Sequence, residues 1–182
     1  MNVNELKVGD VIFIADNDEK NISSLSVGFG GLSYYHCGIY VGDGKLIEAV
    51  KYHGVVIDEV SKYSDNKILA ARVNLTLDAI QKVINTAKSF IGHKYNDLFL
   101  PNQSDRLYCS ELIHSAFFAL DNEAFFTQHT LNYFSLEDEK ISDFWIEFYA
   151  DHGYEVPQGE KGSHPNNLSL DKKFTQLCFL SW

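Results

Sequence analysis

The sequence predicts an α+β domain in which an antiparallel sheet packs against helices. Three observations carry that reading. Up to residue 74 the chain runs as short β-branched stretches separated by tight turns, and sequential strands with short links pair antiparallel. Beyond that point the apolar period changes from two to the three-or-four of a helix. The length, 182 residues, suits a single domain spanning 1–182 with a sizeable core.

The elements follow in order. VGDVIFIA (8–15) is a strand after a Gly-Asp turn. Residues 16–35 are polar and glycine-rich. Their glycines do not make a phosphate-binding loop, because such a loop opens a helix and this one leads into the alternating HCGIYV. Residues 36–50 read as a β-hairpin, HCGIYV and KLIEAV around a three-residue Gly-Asp-Gly loop. GVVIDEV (54–60) and ILAARVN (68–74) add two strands. In TLDAIQKVINTAKSFIG (76–92), Leu77, Ile80, Ile84, Ala87 and Ile91 recur at helical spacing, with Thr76 as N-cap and Gly92 as C′ residue. A loop at 93–108 leads to a second helix near 109–120, striped by Cys109, Leu112, Ile113, Ala116, Phe117 and Leu120. A shorter aromatic helix near 142–151 precedes a turn-rich end, VPQGEKGSHPNN.

Composition removes several function classes. The chain is 45% hydrophobic with a formal charge of −10 and no Lys/Arg-rich run. Nucleic acid and anionic membranes are therefore poor electrostatic partners. No stretch reaches the roughly 18 apolar residues of a membrane-spanning helix. The start, MNVNELKVGD, does not read as a signal peptide, which makes the cytoplasm the expected compartment. The three cysteines form no CxxC and leave one over from any pairing, so a disulfide framework is not expected. No spacing resembles a structural zinc site, and neither a metal nor a cofactor is expected. The oligomeric state is not legible.

Cys109 opens the second helix in LYCSELIHSAF. A helix start offers free N–H groups and the positive end of the dipole, and both favour thiolate. A buried cysteine on an apolar stripe is also an ordinary small hydrophobe. A nucleophile needs a base, and the base needs an orienting group. His36 is the best-placed base. If 42–44 form the hairpin loop, 41 faces 45 and 38 faces 48, which puts His36, Gly38, Tyr40, Leu46, Glu48 and Val50 on one face. Glu48 is then the diagonal neighbour of His36, about 7–8 Å away between backbones. It can take one imidazole nitrogen and leave the other for a thiol, with Gly38 leaving room between them. Cys37 points to the opposite strand face, which argues against joint metal ligation with His36. Cys37 and Cys178 read as buried bystanders. His114 is rotated off the Cys109 face, and the other histidines, His164 among them, sit in loop-like or terminal contexts.

The combination YYHCGIYVGDGKLIEAV, IGHKYND, YCSELIHSAF and DFWIEFYADHGYEVP resembles the permuted papain-like amidases of the YaeF/YiiX type, within the NlpC-like cysteine peptidase superfamily. The resemblance spans roughly 8–172. It implies a circularly permuted papain-like fold, with the histidine strand ahead of the cysteine helix. Triads are defined by geometry, so the chemistry survives the reordering. It further implies Cys109 as nucleophile, His36 as general base and then acid, Glu48 as orienting group, and Tyr95 at the oxyanion hole beside the Cys109 backbone N–H. The expected function is a cysteine-dependent amidase or peptidase acting on a short peptide, a cell-wall-type peptide or an acylated amine. One alternative is an acyltransferase of the lecithin:retinol acyltransferase type, in which AFFALDNEAFF and FWIEFY would line an acyl groove, although such aromatic runs more often pack as core. Another is a binding module that kept the fold and lost turnover.

Overall fold

The structure, a computed structural model, describes residues 1–16 and 25–182. The glycine-rich reading of 16–35 falls partly outside the described residues. Six strands form one antiparallel sheet: β1 (Val11–Ala15), β2 (Tyr34–Gly42), β3 (Lys45–Val50), β4 (Gly54–Glu59), β5 (Ile68–Val73) and β10 (Phe174–Phe179), in the order β10-β5-β1-β2-β3-β4. β1 is buried along its whole length, which explains why VIFIA is apolar throughout instead of alternating.

One face of the sheet carries Val11, Phe13, Cys37, Ile39, Ile47, Leu69 and Ala71. They pack against α1 (Leu77–Ser89) and α2 (Cys109–Phe118). The other face carries Ile12, Ile14, Tyr40, Leu46, Ile68 and Ala70, closed by Val60 and Tyr63. The termini meet at the sheet edge, where the Met1 amino group donates to the Phe179 carbonyl at 3.0 Å.

The hairpin departs from its expected turn. Asp43 and Gly44, with φ of 51° and 72°, form a two-residue turn, and Gly42 pairs with Lys45. Two left-handed central residues give the primed turn whose twist suits a hairpin. The extra residue is absorbed as a bulge between Tyr40 and Gly42, so 41 does not face 45, yet Gly38 still pairs with Glu48. Gly38 is required there. A Cβ would fall 2.4 Å from Leu46 Cδ1 and 2.8 Å from the Ile47 carbonyl. The crowding thus comes from β3 rather than from the imidazole.

α1 starts as expected: the Thr76 hydroxyl accepts from the Ala79 N–H at 3.2 Å. It ends at Ser89 with Phe90 as C-cap, earlier than Gly92 suggested. Its buried stripe is Val83, Ile84 and Ala87, whereas Leu77 and Ile91 are exposed. The outer positions of the periodic pattern overshoot because the helix touches the core over only two turns.

Two short strands, β6 (Lys94–Tyr95) and β7 (Arg106–Leu107), pair in parallel. Beyond α2 come β8 (His129–Thr130), α3 (Asp143–Asp151), β9 (Lys161–Gly162) and α4 (Pro165–Ser169), with β8 antiparallel to β9. A satellite core of Leu131, Tyr133 and Tyr149 packs Trp145, Phe148 and Val156 around it. Phe117 and Phe126 are core, and Tyr149 is fully buried in the satellite. Among the described residues no helix is long and apolar enough to cross a membrane.

Candidate active site

Cys109 is the first residue of α2. It therefore stands where helix N–H groups lack intrahelical acceptors. Tyr108 is the N-cap residue, and its own N–H donates to Glu111 Oε2 at 3.3 Å, one half of a capping box. Burial pushes the Glu111 pKa up to about 7.

The β2–β3 register brings His36 onto Glu48. His36 Nε2 lies 2.6 Å from Glu48 Oε2. That bond occupies Nε2 and leaves Nδ1 free of Glu48, and the Cys109 side chain is close enough to bear on the His36 pKa. Glu48 is fully buried, and its carboxylate is saturated with donors. Tyr63 Oη donates to Oε2 at 2.7 Å, and Lys62 Nζ donates to Oε1. Lys62 also reaches Asp58 at 2.5 Å. Burial by itself would raise the Glu48 carboxyl; His36, then Lys62 and Tyr63, outweigh it and hold the pKa below the ordinary value.

These contacts set the charge state of the pair. Burial by itself would lower the His36 pKa, but Cys109 and then Glu48 push it up to about 9. Cys109 is held well below an ordinary thiol. The neighbouring Cys37 thiol favours the thiolate most; burial opposes; His36 favours it in turn. Both directions favour thiolate at Cys109 and imidazolium at His36. Cys37 is driven well above the ordinary value by burial and by the neighbouring thiolate. It is therefore no bystander.

Tyr95 arrives by a different route. Gly54, at φ +72°, lets the β4 backbone approach so closely that a Cβ would lie 2.0 Å from the His93 carbonyl. Val55 N–H donates to that carbonyl at 2.8 Å. The segment then continues as β6 against β7, which runs directly into Tyr108 and Cys109. Burial, with the Cys109 charge next, keeps the Tyr95 phenol protonated by raising its pKa well above the usual value.

Cys109 and Tyr95 open into a cleft of about 180 Å³. Tyr35, Phe99, Tyr108, Leu131 and Tyr133 form much of its wall, and no Asp, Glu, Lys or Arg is among the described lining residues. AFFALDNEAFF and FWIEFY contribute no lining residue; Phe117, Phe126 and Tyr149 from them are buried in the cores instead. The far wall comes from the turn-rich end that sequence periodicity passed over. Ser163 N–H donates to Tyr108 Oη at 3.0 Å, and Ser163 Oγ donates to Ser110 Oγ at 2.9 Å. Both residues flanking Cys109 are thereby tied to the segment that carries His164. His164 was set aside as terminal, but it lines the cleft. The one legible signal was a His-Pro-Asn run with the look of a helix start, with proline at N1. His114 remains apart from the cysteine. Burial lowers its pKa to about 4, and its Nδ1 lies 3.4 Å from Gln128 Nε2.

Lys62 and Tyr63 were also missed. They lie in a short 3₁₀ turn, Val60–Tyr63, whose placement over Glu48 depends on the β3–β4 pairing rather than on any spacing in the sequence. Among the described residues no group of three or more His, Cys, Asp or Glu is arranged to hold a metal ion.

Comparison with known proteins meets this geometry. Among solved structures the chain is similar to the crystal structure of YiiX from Escherichia coli O157:H7, described there as a metalloprotein. The TM-score is 0.73 at 23% identity, over 96% of each chain. At that identity the likeness bears on the fold, and the residues of this chain offer no matching metal cluster among those described. A search of curated proteins finds no match. The family model of the permuted papain-like amidase enzymes, YaeF/YiiX, C92 family, matches residues 5–178. The chain thus belongs to the permuted papain-like amidases, a family of cysteine peptidases.

Proposed function

We propose that the protein hydrolyses an amide bond in a short peptide or an acylated amine through an acyl-enzyme on Cys109. One observation carries the reading: His36 bridges a buried, fully hydrogen-bonded Glu48 and a cysteine at a helix start. The Cys109 thiolate attacks the carbonyl carbon, a C–S bond forms, and the carbonyl electron pair moves onto oxygen. The Cys109 backbone N–H and the Tyr95 phenol receive that oxyanion. On collapse the C–N bond breaks, and the amine leaves with the proton from His36 Nδ1. His36, now neutral, takes a proton from water, whose oxygen attacks the thioester and releases the acid. Glu48 holds the ring by Nε2 throughout, so the same nitrogen serves both half-reactions.

The cleft narrows the substrate. An uncharged aromatic wall suits an apolar or aromatic acyl part better than the charged branches of a cell-wall-type peptide, which would enter without ionic partners. The same wall favours a second reading, transfer of the acyl group to an amine instead of water. Rapid-mixing assays with N-acylated aminocoumarins, with and without a primary amine, separate the two. Release of aminocoumarin with a transient thioester on Cys109, seen by mass spectrometry, is expected for both. An N-acyl product forming at the expense of free acid marks transfer. Turnover that survives Cys109→Ala overturns the proposal.

A further inference from the structure

We infer that His164 is a further catalytic residue, the side-chain hydrogen-bond donor that receives the substrate oxyanion from the wall of the cleft facing Cys109. The inference rests on the acyl-enzyme reading above and adds a residue to it.

Two features place the ring. Its neighbour Ser163 is bonded to both residues flanking Cys109, through Tyr108 Oη at 3.0 Å and Ser110 Oγ at 2.9 Å. The segment after it is fixed with equal firmness. Asn166 Oδ1 accepts from the Tyr34 N–H at 2.5 Å, and Ser169 Oγ accepts from the Phe29 N–H at 3.0 Å. His164 is held between these anchors and lines the same cleft as Cys109 and Tyr95. An oxyanion donor must be fixed before the charge develops, and rigid anchoring on both sides provides that.

The tautomer follows from the helix cap. His164 is the N-cap residue of α4, and its Nδ1 accepts from the Asn166 N–H at 3.2 Å. An accepting Nδ1 in a neutral ring puts the proton on Nε2, which points away from α4. Among the described residues none accepts from Nε2. Nε2 is not among the buried unpaired atoms, so it is reached from the cleft and is free to donate to a ligand oxygen there. The ring stays neutral in the working range, since burial pushes its pKa down to about 4 against the favourable influence of the Cys109 charge. It therefore donates without competing with His36 for the catalytic proton. In the addition step no proton leaves His164: the new C–S bond sends the carbonyl electrons onto oxygen, and Nε2–H donates to that oxygen until the C–N or C–O bond breaks.

The test compares two reactions of one thiolate. Acylation by p-nitrophenyl butyrate passes through a tetrahedral oxyanion; alkylation by iodoacetamide does not. His164→Asn keeps an oxygen at the cap, where asparagine is favoured, but withdraws the donor from the cleft. His164→Gln restores an N–H near the Nε2 position. For His164→Asn we expect acylation of the full chain to fall by about 10²–10³, with alkylation rate and melting temperature unchanged. His164→Gln should recover all but about tenfold of that loss. Should the Asn variant not fold, the Gln variant decides: it must acylate within about tenfold of the parent. Acylation of His164→Asn at the parental rate overturns the inference, and so does an alkylation rate that falls in parallel, which would mean that His164 acts on the thiolate. If parental Cys109 accepts no butyryl group, the acyl-enzyme reading fails and this inference with it, whereas a donor failure alone leaves the parent active.

Discussion

The two sides of Cys109 are built on opposite principles. On the hairpin side every polar atom is spoken for: His36, Lys62 and Tyr63 all engage one buried carboxylate. On the cleft side the wall is aromatic and uncharged, and donors point into open space. The hairpin side sets a charge state before any substrate arrives. On the proposed reading, the cleft side presents groups that find their partner in a bound carbonyl. The division has a cause: a thiolate–imidazolium pair needs fixed counter-charges, whereas transition-state binding needs donors left free until charge develops.

Removing Cys109 tests the premise of the comparison, and Cys109→Ala should abolish acylation by p-nitrophenyl esters and amides alike. Next in size is His36→Ala. Without the imidazolium, Cys109 loses a principal counter-charge, and amide hydrolysis should fall by about 10²–10⁴. Iodoacetamide alkylation of Cys109 should shift toward the ordinary thiol range near pH 8.5. An unchanged alkylation profile in His36→Ala would break the distinction between the two sides, because the thiolate would owe its charge to the helix start and Cys37 alone.

The same division governs what could be read from the sequence. The hairpin side was legible because period-two alternation and a short Gly-rich turn fix which residues share a strand face. Even a turn mistaken by one residue did no harm, since the bulge at Tyr40/Gly42 restored the Gly38–Glu48 pairing. Cys109 was legible from the switch to helical period. Lys62 and Tyr63 were not, because a 3₁₀ turn carries no periodicity and its contact with Glu48 bridges 14 and 15 residues of sequence. Cys37 was rightly placed on the strand face opposite His36 and buried there, but alternation says nothing of its influence on the Cys109 thiol. The cleft wall was almost wholly hidden. Leu131, Tyr133, Ser163 and His164 sit among two-residue strands and turns, and β10, which closes the sheet, is more than 100 residues distant from its partner β5.

pH separates the two sides further. Amide hydrolysis should rise as pH climbs through the depressed Cys109 pKa and fall again as His36 loses its proton near 9, giving a bell. Alkylation needs only the thiolate and should show the rising limb without the falling one. Stability moves with His36 as well. Its folded pKa is raised from 6.5 to about 9, so its contribution is fully present below 6.5 and is lost as pH rises through 9. Cys109, held below the ordinary thiol, contributes with the opposite sign, so the folded pair and the unfolded chain each hold one proton between about pH 6.5 and 8.5, and melting temperature should stay nearly level across that range. On the cleft side, Leu131→Ala should leave alkylation untouched while weakening selection between butyryl and acetyl esters by about tenfold, the scale set by a few methylenes in an apolar pocket. A parallel change in alkylation would show that the cleft wall also tunes the thiolate.

The smallest effect should come from Lys62, and it is the most instructive. Its ammonium bonds both Glu48 and Asp58, and its side chain is 31% exposed. A partly exposed pair is screened by water and salt and is worth about 0–1 kcal/mol. Glu48 keeps two donors without it, from His36 at 2.6 Å and Tyr63 at 2.7 Å. Lys62→Gln retains an N–H for Glu48 and removes only the charge, so the alkylation rate of Cys109 at pH 7 should change by less than about threefold. The change should shrink further in 0.5 M salt, where the Debye length falls to about 4 Å. Glu48→Gln removes the charge at the centre of the same cluster and is the counterpart. It leaves His36 without an anionic partner and Lys62 facing a neutral amide, and the alkylation limb of Cys109 should move upward whatever the salt concentration. Equal effects of the two variants would mean that the cluster acts through its net charge. A large effect of Glu48→Gln beside a small one of Lys62→Gln would mean that it acts through the single bond that orients His36.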